Sequence, residues 1–583
     1  MNATEYAAFA TLTLLTLAPA CARDRADVAP PAAMPSERPA EPRAQQDMVP
    51  EPARPADSLV ESIGVAAHWG FHNTVYHQKW DEVQKLLGES GIRIVRDGLD
   101  HRMDELWKLY GIRGIFVTSP DKSWDQYLEL WRQKRHLIAA IEGSNEVNGG
   151  WAKVGYTYQG KGWPEGPRIF QEDLYKRVKG DPALKDIPVI ALSTAYKNFG
   201  TSLAPLRSFD YANAHSYAGG GIPSRSIDFR EPYLLLGRGA VYPPLAATES
   251  GYHTCLGETR VIAGNHPGVS HAAHRKYIPR HVAEYFNAGH RWTVIYELAA
   301  GRPKKAEQED PEAAFGLLMP DATPKPAYFA LKDLIALLSE SKWDAAAGRW
   351  IHPESFPTRA MTFSLRGAPE SVHHTLLQRS DGSFQLLLWN EVPSIDLRAK
   401  KDIRNAPVPV RLALRDPAAR ITVTRLGPDA LPPAHFESVR EIDLAVPDEV
   451  IVVGIRLAKP LRPASLAPPG DVEVKPGPGS VELSWPVRKG ADAFWVSLNQ
   501  RNLGPAQLGP DGKARFRMTG LLPAMTYPFE IVAVSRDGGV SVPAKVSATT
   551  VDASPDLVVL SLKTIPESPK EGDTITFSAV VEN

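Results

Sequence analysis

The stretch Leu137-Ile138-Ala139-Ala140-Ile141-Glu142-Gly143-Ser144-Asn145-Glu146 decides the fold. Its first half is a short apolar run, typical of a buried β-strand, and its second half is polar and carries a glutamate. A second run of the same form, Leu245-Ala246-Ala247-Thr248-Glu249, also ends in a glutamate. The two glutamates, Glu146 and Glu249, are separated by 249 − 146 = 103 residues. We therefore expect two strands of one scaffold, each presenting a carboxylate at its polar end.

From Ser62 to about Glu340, apolar runs alternate with amphipathic helical stretches. The predicted strands are Ile63–Ala67, Ile92–Arg96, Gly114–Thr118, Leu137–Glu142, Val189–Leu192, Tyr211–Ala214, Leu245–Thr248 and Thr293–Tyr296. Eight strand–helix units predict a (β/α)8 TIM barrel over residues 59–342. No Gly-x-Gly-x-x-Gly follows the first strand, which argues against a dinucleotide fold. Chemistry in a barrel sits at the carboxyl ends of the strands, so Glu146 and Glu249 should share one rim.

Length and composition place this barrel in a larger protein. At 583 residues the chain is too long for one hydrophobic core, so three or four domains are expected. The 66 Lys and Arg residues balance 67 Asp and Glu residues, and nothing in that balance favours a nucleic-acid partner. We expect a monomer.

The N-terminal segment predicts export. Residues 1–22 resemble a signal peptide, with an apolar stretch too short to span a bilayer. Cys21 stands where bacterial lipoproteins carry the lipidated cysteine, so membrane attachment through Cys21 and ordinary cleavage near Ala20 or Ala22 both stay open. Residues 23–58 are rich in Pro and Ala and predict an extended, disordered tether. A secreted or cell-surface protein of the bacterial envelope is expected.

The rest of the chain predicts all-β sandwich domains. Residues 343–460 alternate in short strands around a hairpin signal at Asp381-Gly382, and Asn390-Glu391 there is expected to be only a turn residue and a solvated charge. Residues 470–550 resemble a fibronectin type III module, through Val481–Trp485 and through Leu521–Tyr527, whose tyrosine suits a tyrosine corner. Residues 555–583 resemble the opening strands of an immunoglobulin-like module of the bacterial cell-adhesion (CARDB-like) type.

The barrel itself resembles clan A glycoside hydrolases, such as families 5 and 39. In that clan an Asn-Glu pair after the fourth strand carries the acid/base, and a glutamate after the seventh strand is the nucleophile; Asn145-Glu146 and Glu249 match both positions. The resemblance implies a retaining β-glycosidase acting on a poly- or oligosaccharide by double displacement. Glu146 would be the acid/base and Glu249 the nucleophile.

Further residues match the clan's supporting positions. Arg96 would hold a cation near Glu249, although an ion pair with Asp97 is the structural alternative. Asn145 would bind a sugar 2-hydroxyl, Tyr217 would donate a hydrogen bond to the nucleophile, and His215 would contact sugar hydroxyls. The predicted substrate-binding or supporting set is completed by residues near the rim: His68, Trp69 and Tyr296, with Trp151 as a further aromatic platform.

Other functions were weighed against this one. The histidines at positions 68, 72 and 77 match no familiar zinc spacing, so neither a metal nor another cofactor is expected. The absence of a Gly-x-Ser-x-Gly elbow disfavours a serine esterase. A barrel that only binds glycan, with the β-modules acting in adhesion, and a transglycosylase using the same residues remain the alternatives.

Overall fold

The structure is a computed structural model that describes residues 48–149, 155, 157–195, 200–227, 235–257, 266–301, 308, 310–552, 558–565 and 576–582. The predicted signal peptide, Cys21 and the first part of the predicted tether lie outside these residues, as does Trp151. Among the described residues, no helix is both long and apolar enough to cross a membrane.

The end of the predicted tether is wrong, because residues 49–58 are ordered. They form β1 (Val49–Pro52), β2 (Arg54–Pro55) and the start of α1 (Ala56–Ser62). β1 pairs antiparallel with a strand near residue 361, and β2 pairs with one near residue 377. The proline-rich composition hid these strands, since their hydrogen-bond partners lie about 300 residues away in sequence.

Eight parallel strands form the predicted barrel. They are β3 (Ile63–Ala66), β4 (Ile94–Asp97), β5 (Arg113–Val117), β6 (Ile138–Glu142), β7 (Val189–Ile190), β8 (Ala212–His215), β9 (Leu245–Ser250) and β10 (His290–Ile295). Their order is β7-β6-β5-β4-β3-β10-β9-β8, and a parallel bridge between Ile190 and Tyr211 joins the two ends of the sheet. All eight predicted strands are confirmed, with ends that shift by up to three residues or so.

Helices follow the strands around the barrel. After α1 they are α2 (Val75–Gln78), α3 (Trp80–Ser90), α4 (Arg102–Tyr110), α5 (Trp124–Gln133), α6 (Glu165–Gly180), α7 (Gly200–Leu203), α8 (His271–Asn287) and α9 (Pro326–Leu338). Local signals fix their ends: Ser123 and Gln126 form a capping box at the start of α5, and Gly91, at φ +76°, ends α3. The buried faces of these helices pack on the strands and place the strand ends that carry the site.

A second sheet has eight strands and includes β1 and β2. Its other strands are β13 (Ala360–Arg366), β14 (Val372–Gln378), β15 (Phe384–Asn390), β18 (Val408–Arg425), β19 (Ala434–Val446) and β20 (Ile451–Leu457). The strands pair antiparallel except for the parallel pair of β2 and β14. Short pairs flank it: β11 (Lys342–Asp344) with β12 (Arg349–Ile351), and β16 (Ile395–Asp396) with β17 (Lys401–Asp402). Gly382, at φ +82°, turns the chain between β14 and β15, which confirms the Asp-Gly hairpin.

The prediction for Asn390-Glu391 is wrong. Both residues are buried, and Glu391 accepts a hydrogen bond from Arg280 Nε of α8 at 2.7 Å. The Trp389 indole donates to the same carboxylate at 3.0 Å. A buried ion pair at the seam of barrel and sandwich therefore stands where the sequence suggested a solvated turn; its partner is 111 residues away, out of reach of local pattern.

Two four-stranded sheets follow. The first is β21 (Glu473–Pro476), β22 (Ser480–Pro486), β26 (Lys513–Thr519) and β25 (Gln507–Leu508); the second is β24 (Arg501–Pro505), β23 (Ala493–Leu498), β27 (Thr526–Val534) and β28 (Ala544–Thr549). Trp485 is buried, and the Tyr527 hydroxyl accepts a hydrogen bond from the Leu522 N–H at 2.9 Å. β29 (Val558–Ile565) pairs with β30 (Thr576–Glu582). The fibronectin type III and cell-adhesion interpretations stay predictions.

Candidate active site

The loop after β6 is held by packing that only glycine permits. A Cβ on Gly143 would collide with the Gln171 side chain of α6 and lie 2.6 Å from the Leu192 nitrogen. The Leu192 N–H donates to Gln171 Oε1 at 2.9 Å, so this contact joins helix, strand end and loop. Glu146 then takes a left-handed conformation at φ +41°, and its N–H donates to Ser193 Oγ at 2.9 Å. The chain thus turns sharply at Glu146, in a conformation that is uncommon for non-glycine residues.

The two predicted carboxylates meet across His215. The Nδ1 atom of His215 lies 3.1 Å from Glu146 Oε1 and 3.5 Å from Glu249 Oε2. One oxygen of each carboxylate and a ring nitrogen of His215 all lie within 4.8 Å of one another. The Glu249 side chain is 10% exposed and that of Glu146 is 33% exposed. The pair is therefore asymmetric: one carboxylate is enclosed at the end of β9, and the other faces solvent.

Arg96 ties the enclosed carboxylate to the barrel interior. Its guanidinium donates to Glu249 Oε1 at 2.6 Å, to Glu142 Oε2 and Oε1 at 2.8 Å each, and to Asn145 Oδ1 at 2.6 Å. Asp97, the alternative partner, instead accepts hydrogen bonds from the backbone. Burial lowers the pKa of Arg96, but Glu142 and Glu249 outweigh it and raise that pKa above its ordinary value. A permanent cation thus sits between two buried carboxylates.

Tyr217 lies where the sequence placed it. Its hydroxyl donates to Glu249 Oε2 at 3.0 Å, on the oxygen that Arg96 Nη1 does not contact. Burial and the nearby Glu249 raise the Tyr217 pKa well above its ordinary value, so the phenol keeps its proton. Both oxygens of Glu249 are therefore held by fixed donors.

The expected sugar contact of His215 is not what the structure shows. Its side chain is 1% exposed, and Nε2 lies 3.1 Å from Thr248 Oγ1. The Thr248 hydroxyl donates toward Glu142 or Asn213, so it can only accept from His215. Nε2 therefore donates, while Nδ1 faces both Glu146 and Glu249. Burial lowers the His215 pKa, but Glu249 and Glu146 raise it above its ordinary value overall. His215 thus bridges Glu146 and Glu249 through Nδ1, and its raised pKa favours the protonated ring.

A second polar cluster lies beside the nucleophile position. His68 Nε2 is 3.1 Å from the Tyr296 hydroxyl and 3.1 Å from Glu297 Oε2. The Tyr296 hydroxyl in turn donates to Glu312 Oε2 at 3.2 Å. Burial lowers the His68 pKa, yet Glu297, with help from Glu249, raises it overall. The structure thus brings the predicted residues His68 and Tyr296 together, and adds two glutamates that no sequence pattern marked.

The predicted platform Trp69 is wrong, and a neighbour that the sequence did not single out is exposed instead. Trp69 is 3% exposed and packs edge-on against Tyr76 and Trp80, because the loop after β3 folds inward there. Phe71, 46% exposed, stacks on His68 with ring centroids 4.5 Å apart and planes 8° apart. Aromatic residues two apart in an irregular loop carry no periodicity, so the sequence could not tell which one faces outward.

Two groups of the described residues bring three potential metal ligands together. They are Glu146, His215 and Glu249, and, away from the rim, Asp57, Glu61 and His352. In the first group Arg96 already pairs with Glu249, and in the second Arg93 pairs with Asp57 at 2.7 Å. A cation in each place disfavours a divalent ion by charge repulsion. Cys255, the other cysteine of the chain, is buried.

Comparisons with known proteins give structural likenesses only. No family model and no curated protein matches the chain. The GH39 enzyme from Xanthomonas axonopodis pv. citri is 13% identical, with 70% of this chain and 96% of that chain covered at a TM-score of 0.41. A GH39 β-xylosidase from Caulobacter crescentus is 16% identical, with 70% and 98% covered at a TM-score of 0.40. These scores decide neither fold nor activity, which depend on the strands and side chains above.

Proposed function

We propose that this protein is a retaining glycoside hydrolase that cleaves β-glycosidic bonds of a poly- or oligosaccharide. The observation that carries the proposal is the separation of Glu146 and Glu249, whose nearest oxygens lie within 4.8 Å across His215. Retaining enzymes hold their carboxyl groups about 5 Å apart, whereas inverting enzymes leave roughly 6.5–9.5 Å for a water. This separation falls in the range of retaining enzymes, which favours direct attack by one carboxylate.

Glu249 is the nucleophile in this proposal. Arg96 and Tyr217 each donate to one of its oxygens, which fixes the orientation of the carboxylate. A Glu249 oxygen bonds to the anomeric carbon as the bond from that carbon to the leaving oxygen breaks. The covalent glycosyl-enzyme then holds the sugar while the leaving group departs.

Glu146 is the acid/base. It is the more exposed carboxyl of the pair, so a leaving group and later a water can reach it. Glu146 gives its proton to the leaving oxygen in the first step. In the second step it takes a proton from water, whose oxygen bonds to the anomeric carbon as the bond to Glu249 breaks.

The groups that hold the two carboxylates are in place before the reaction begins. Arg96 and His215 lie against the carboxylates before substrate arrives, which is the preorganised electrostatics that lowers a barrier. The Asn145 oxygen accepts from Arg96, and this orients its amide nitrogen as a donor for a sugar 2-hydroxyl. Tyr296 and His68 would bind further hydroxyls of the same ring.

The test is hydrolysis of a panel of aryl glycosides, with the anomer of the first product followed by NMR. We expect retention of configuration, and Glu249→Ala should lower turnover by about four orders of magnitude or more. Glu354→Ala, an exposed carboxylate outside the site, is the control and should leave turnover unchanged. Unchanged turnover in Glu249→Ala would contradict its assignment as the nucleophile, whereas binding without turnover in the parent protein would support the alternative of a glycan-binding barrel.

We further propose a secreted or cell-surface location, supported by the signal-like residues 1–22, and attachment through a lipidated Cys21. The sheets that contain Trp485 and Tyr527 support the assignment of a fibronectin type III-like module at residues 470–550. Mass spectrometry of the mature protein, which distinguishes a free N-terminus from an acylated cysteine, tests the attachment.

A further inference from the structure

A cleft lies at the end of the barrel opposite the two glutamates. A cavity of about 600 Å³ opens between β1–β2, β14 and the edge of the sheet containing β23 and β24. A second cavity of about 430 Å³ shares four lining residues with it: Glu51, His374, Trp495 and Gly504. The two are therefore halves of one cleft. Its floor includes Asn287, at the end of α8, and His290, at the start of β10. Ligand sites favour such junctions and volumes of about 300–1,000 Å³.

A fixed aromatic ring divides the cleft. Trp495 on β23 is half-buried and lines both cavities. Its indole N–H donates to the Pro50 carbonyl at 2.8 Å, which fixes the ring against β1. A rigid indole offers a flat apolar face at little entropic cost, and the C–H face of a sugar ring is a partner of matching shape.

Planar polar groups surround this ring. Arg54 donates to Asn287 Oδ1 at 2.8 Å, and Glu51 lies 2.8 Å from His374 Nε2. The side-chain amides of Gln500 and Asn502 lie on the same walls. Amides, carboxylates and guanidinium groups are suited to the paired hydroxyls of a sugar.

Charge in the cleft is balanced. Glu51 offsets Arg54, and Arg291, on the wall of the larger cavity, pairs with Glu61 at 3.7 Å. The described lining itself carries two arginines against one glutamate, and Glu61, which is not a lining residue, offsets Arg291, so no net charge remains to attract a phosphate, a uronate or an ammonium group. The chemistry therefore fits an uncharged ligand with many hydroxyls.

We propose that this cleft binds an uncharged oligosaccharide strand, outside the catalytic mouth. The inference rests on the proposed function only in taking the ligand from the class of substrate that the barrel would cleave. Binding here would keep the enzyme on its polysaccharide between turnovers. Affinity for long glycans should then depend on Trp495, whereas turnover of a small aryl glycoside should not.

The experiment is affinity electrophoresis of the full chain in gels containing barley β-glucan, arabinoxylan, galactomannan or laminarin. Glu249→Ala should be retarded like the parent by at least one of them. Trp495→Ala should weaken that retardation about tenfold or more and leave aryl-glycoside turnover within about twofold, as the loss of an aromatic anchor predicts. Trp343→Ala, which truncates another half-buried tryptophan outside the cleft, is the matched control and should behave like the parent.

Trp495→Ala also loses the bond to Pro50, so its thermal unfolding is compared with the parent, and Gln500→Ala serves as an exposed second variant expected to weaken retardation. Retardation unchanged in both variants, or absent for every glycan in the parent, would overturn the cleft as a glycan site. The proposed function fails separately: if no aryl glycoside is hydrolysed while retardation still depends on Trp495, the cleft stands and the catalytic proposal falls.

Discussion

At the scale of single residues, Arg96 is the side chain on which the candidate site depends. It is 5% exposed and joins Glu142, Asn145 and Glu249 with four hydrogen bonds. Removing a partner from a buried ion pair leaves an uncompensated charge, which costs more than the pair itself contributes. Position 96 should therefore tolerate no other cation.

Arg96→Lys keeps the charge but loses the fork that reaches both glutamates. We expect kcat/KM to fall about 100-fold or more and the free energy of unfolding to drop by about 3 kcal/mol. Arg93→Lys breaks a comparable buried fork to Asp57, at 2.8 and 2.7 Å, away from the site. It should lose similar stability but keep its turnover per folded molecule, as measured by active-site titration and urea unfolding. Equal losses of turnover in both variants would contradict the role given to Arg96.

Variants at Phe71 and Trp69 should distinguish a residue that binds substrate from one that packs in the core. Phe71→Ala removes an exposed ring, so we expect KM for oligosaccharides to rise up to about tenfold, with kcat and stability nearly unchanged. Trp69→Ala should cost about 3–5 kcal/mol of stability and leave KM of the folded fraction unchanged. Steady-state kinetics with thermal unfolding distinguishes the two. A rise in KM seen only in Trp69→Ala would instead support Trp69 as the aromatic platform for the sugar.

At the scale of elements, helix α8 contacts the barrel strand that carries Glu249. Its His281 is buried, and Nε2 lies 2.8 Å from Ser250 Oγ on β9. Burial, with His290 nearby, lowers the His281 pKa to about 3, and burial lowers those of His290 and His253 to about 4. These histidines fold as neutral groups.

The sign of the pH dependence follows. Below pH 6.5, the ordinary histidine pKa, these side chains are protonated in the unfolded chain but stay neutral in the folded protein. Because the unfolded state binds more protons, lowering the pH favours unfolding. Each such histidine should cost about 1.4 kcal/mol of stability per pH unit between pH 6.5 and its folded pKa. His281→Gln should make the free energy of unfolding, measured with urea between pH 5 and 6.5, less dependent on pH by the contribution of one histidine. The exposed His101→Gln should not change the slope, and an unchanged slope in His281→Gln would refute the assignment.

Strand existence could be predicted from the sequence, but the contacts of the strand-end side chains could not. The runs ending at Glu146 and Glu249 indicated where in the barrel both carboxylates lie, because burial on both faces leaves a continuous apolar signal. His215 was placed on the right strand but given the wrong contact. Its partners lie 69 and 33 residues away, at Glu146 and Thr248, and only closure of the barrel decides that the ring faces them.

At the scale of the whole molecule, barrel and sandwich share a charged, buried seam. Arg280 is 0% exposed, pairs with Glu391 at 2.7 Å and donates to the Val392 and Asp448 carbonyls. Lys276 adds a bond to the Asp448 carboxylate at 2.8 Å. A seam of this kind joins the unfolding of the two parts, since separating them would leave buried charges without partners.

Arg280→Ala should therefore lower the free energy of unfolding by about 3–5 kcal/mol, while barrel and sandwich in the parent unfold together. Scanning calorimetry checks both expectations. Arg411→Ala, which breaks an exposed pair with Asp443, is the control and should leave the unfolding temperature nearly unchanged. Separate barrel and sandwich transitions in the parent would contradict the coupling.

The central claim is that Glu249 attacks the sugar. An activated 2-deoxy-2-fluoro glycoside, chosen from the aryl glycosides that the enzyme hydrolyses, should slow release of the intermediate and leave the sugar on the protein. Peptide mass spectrometry should then find the added mass on the peptide containing Glu249, and no added mass in Glu249→Ala. Label on Glu146 or any other residue, or a hydrolysed substrate with inverted configuration and no trapped sugar, would contradict the account.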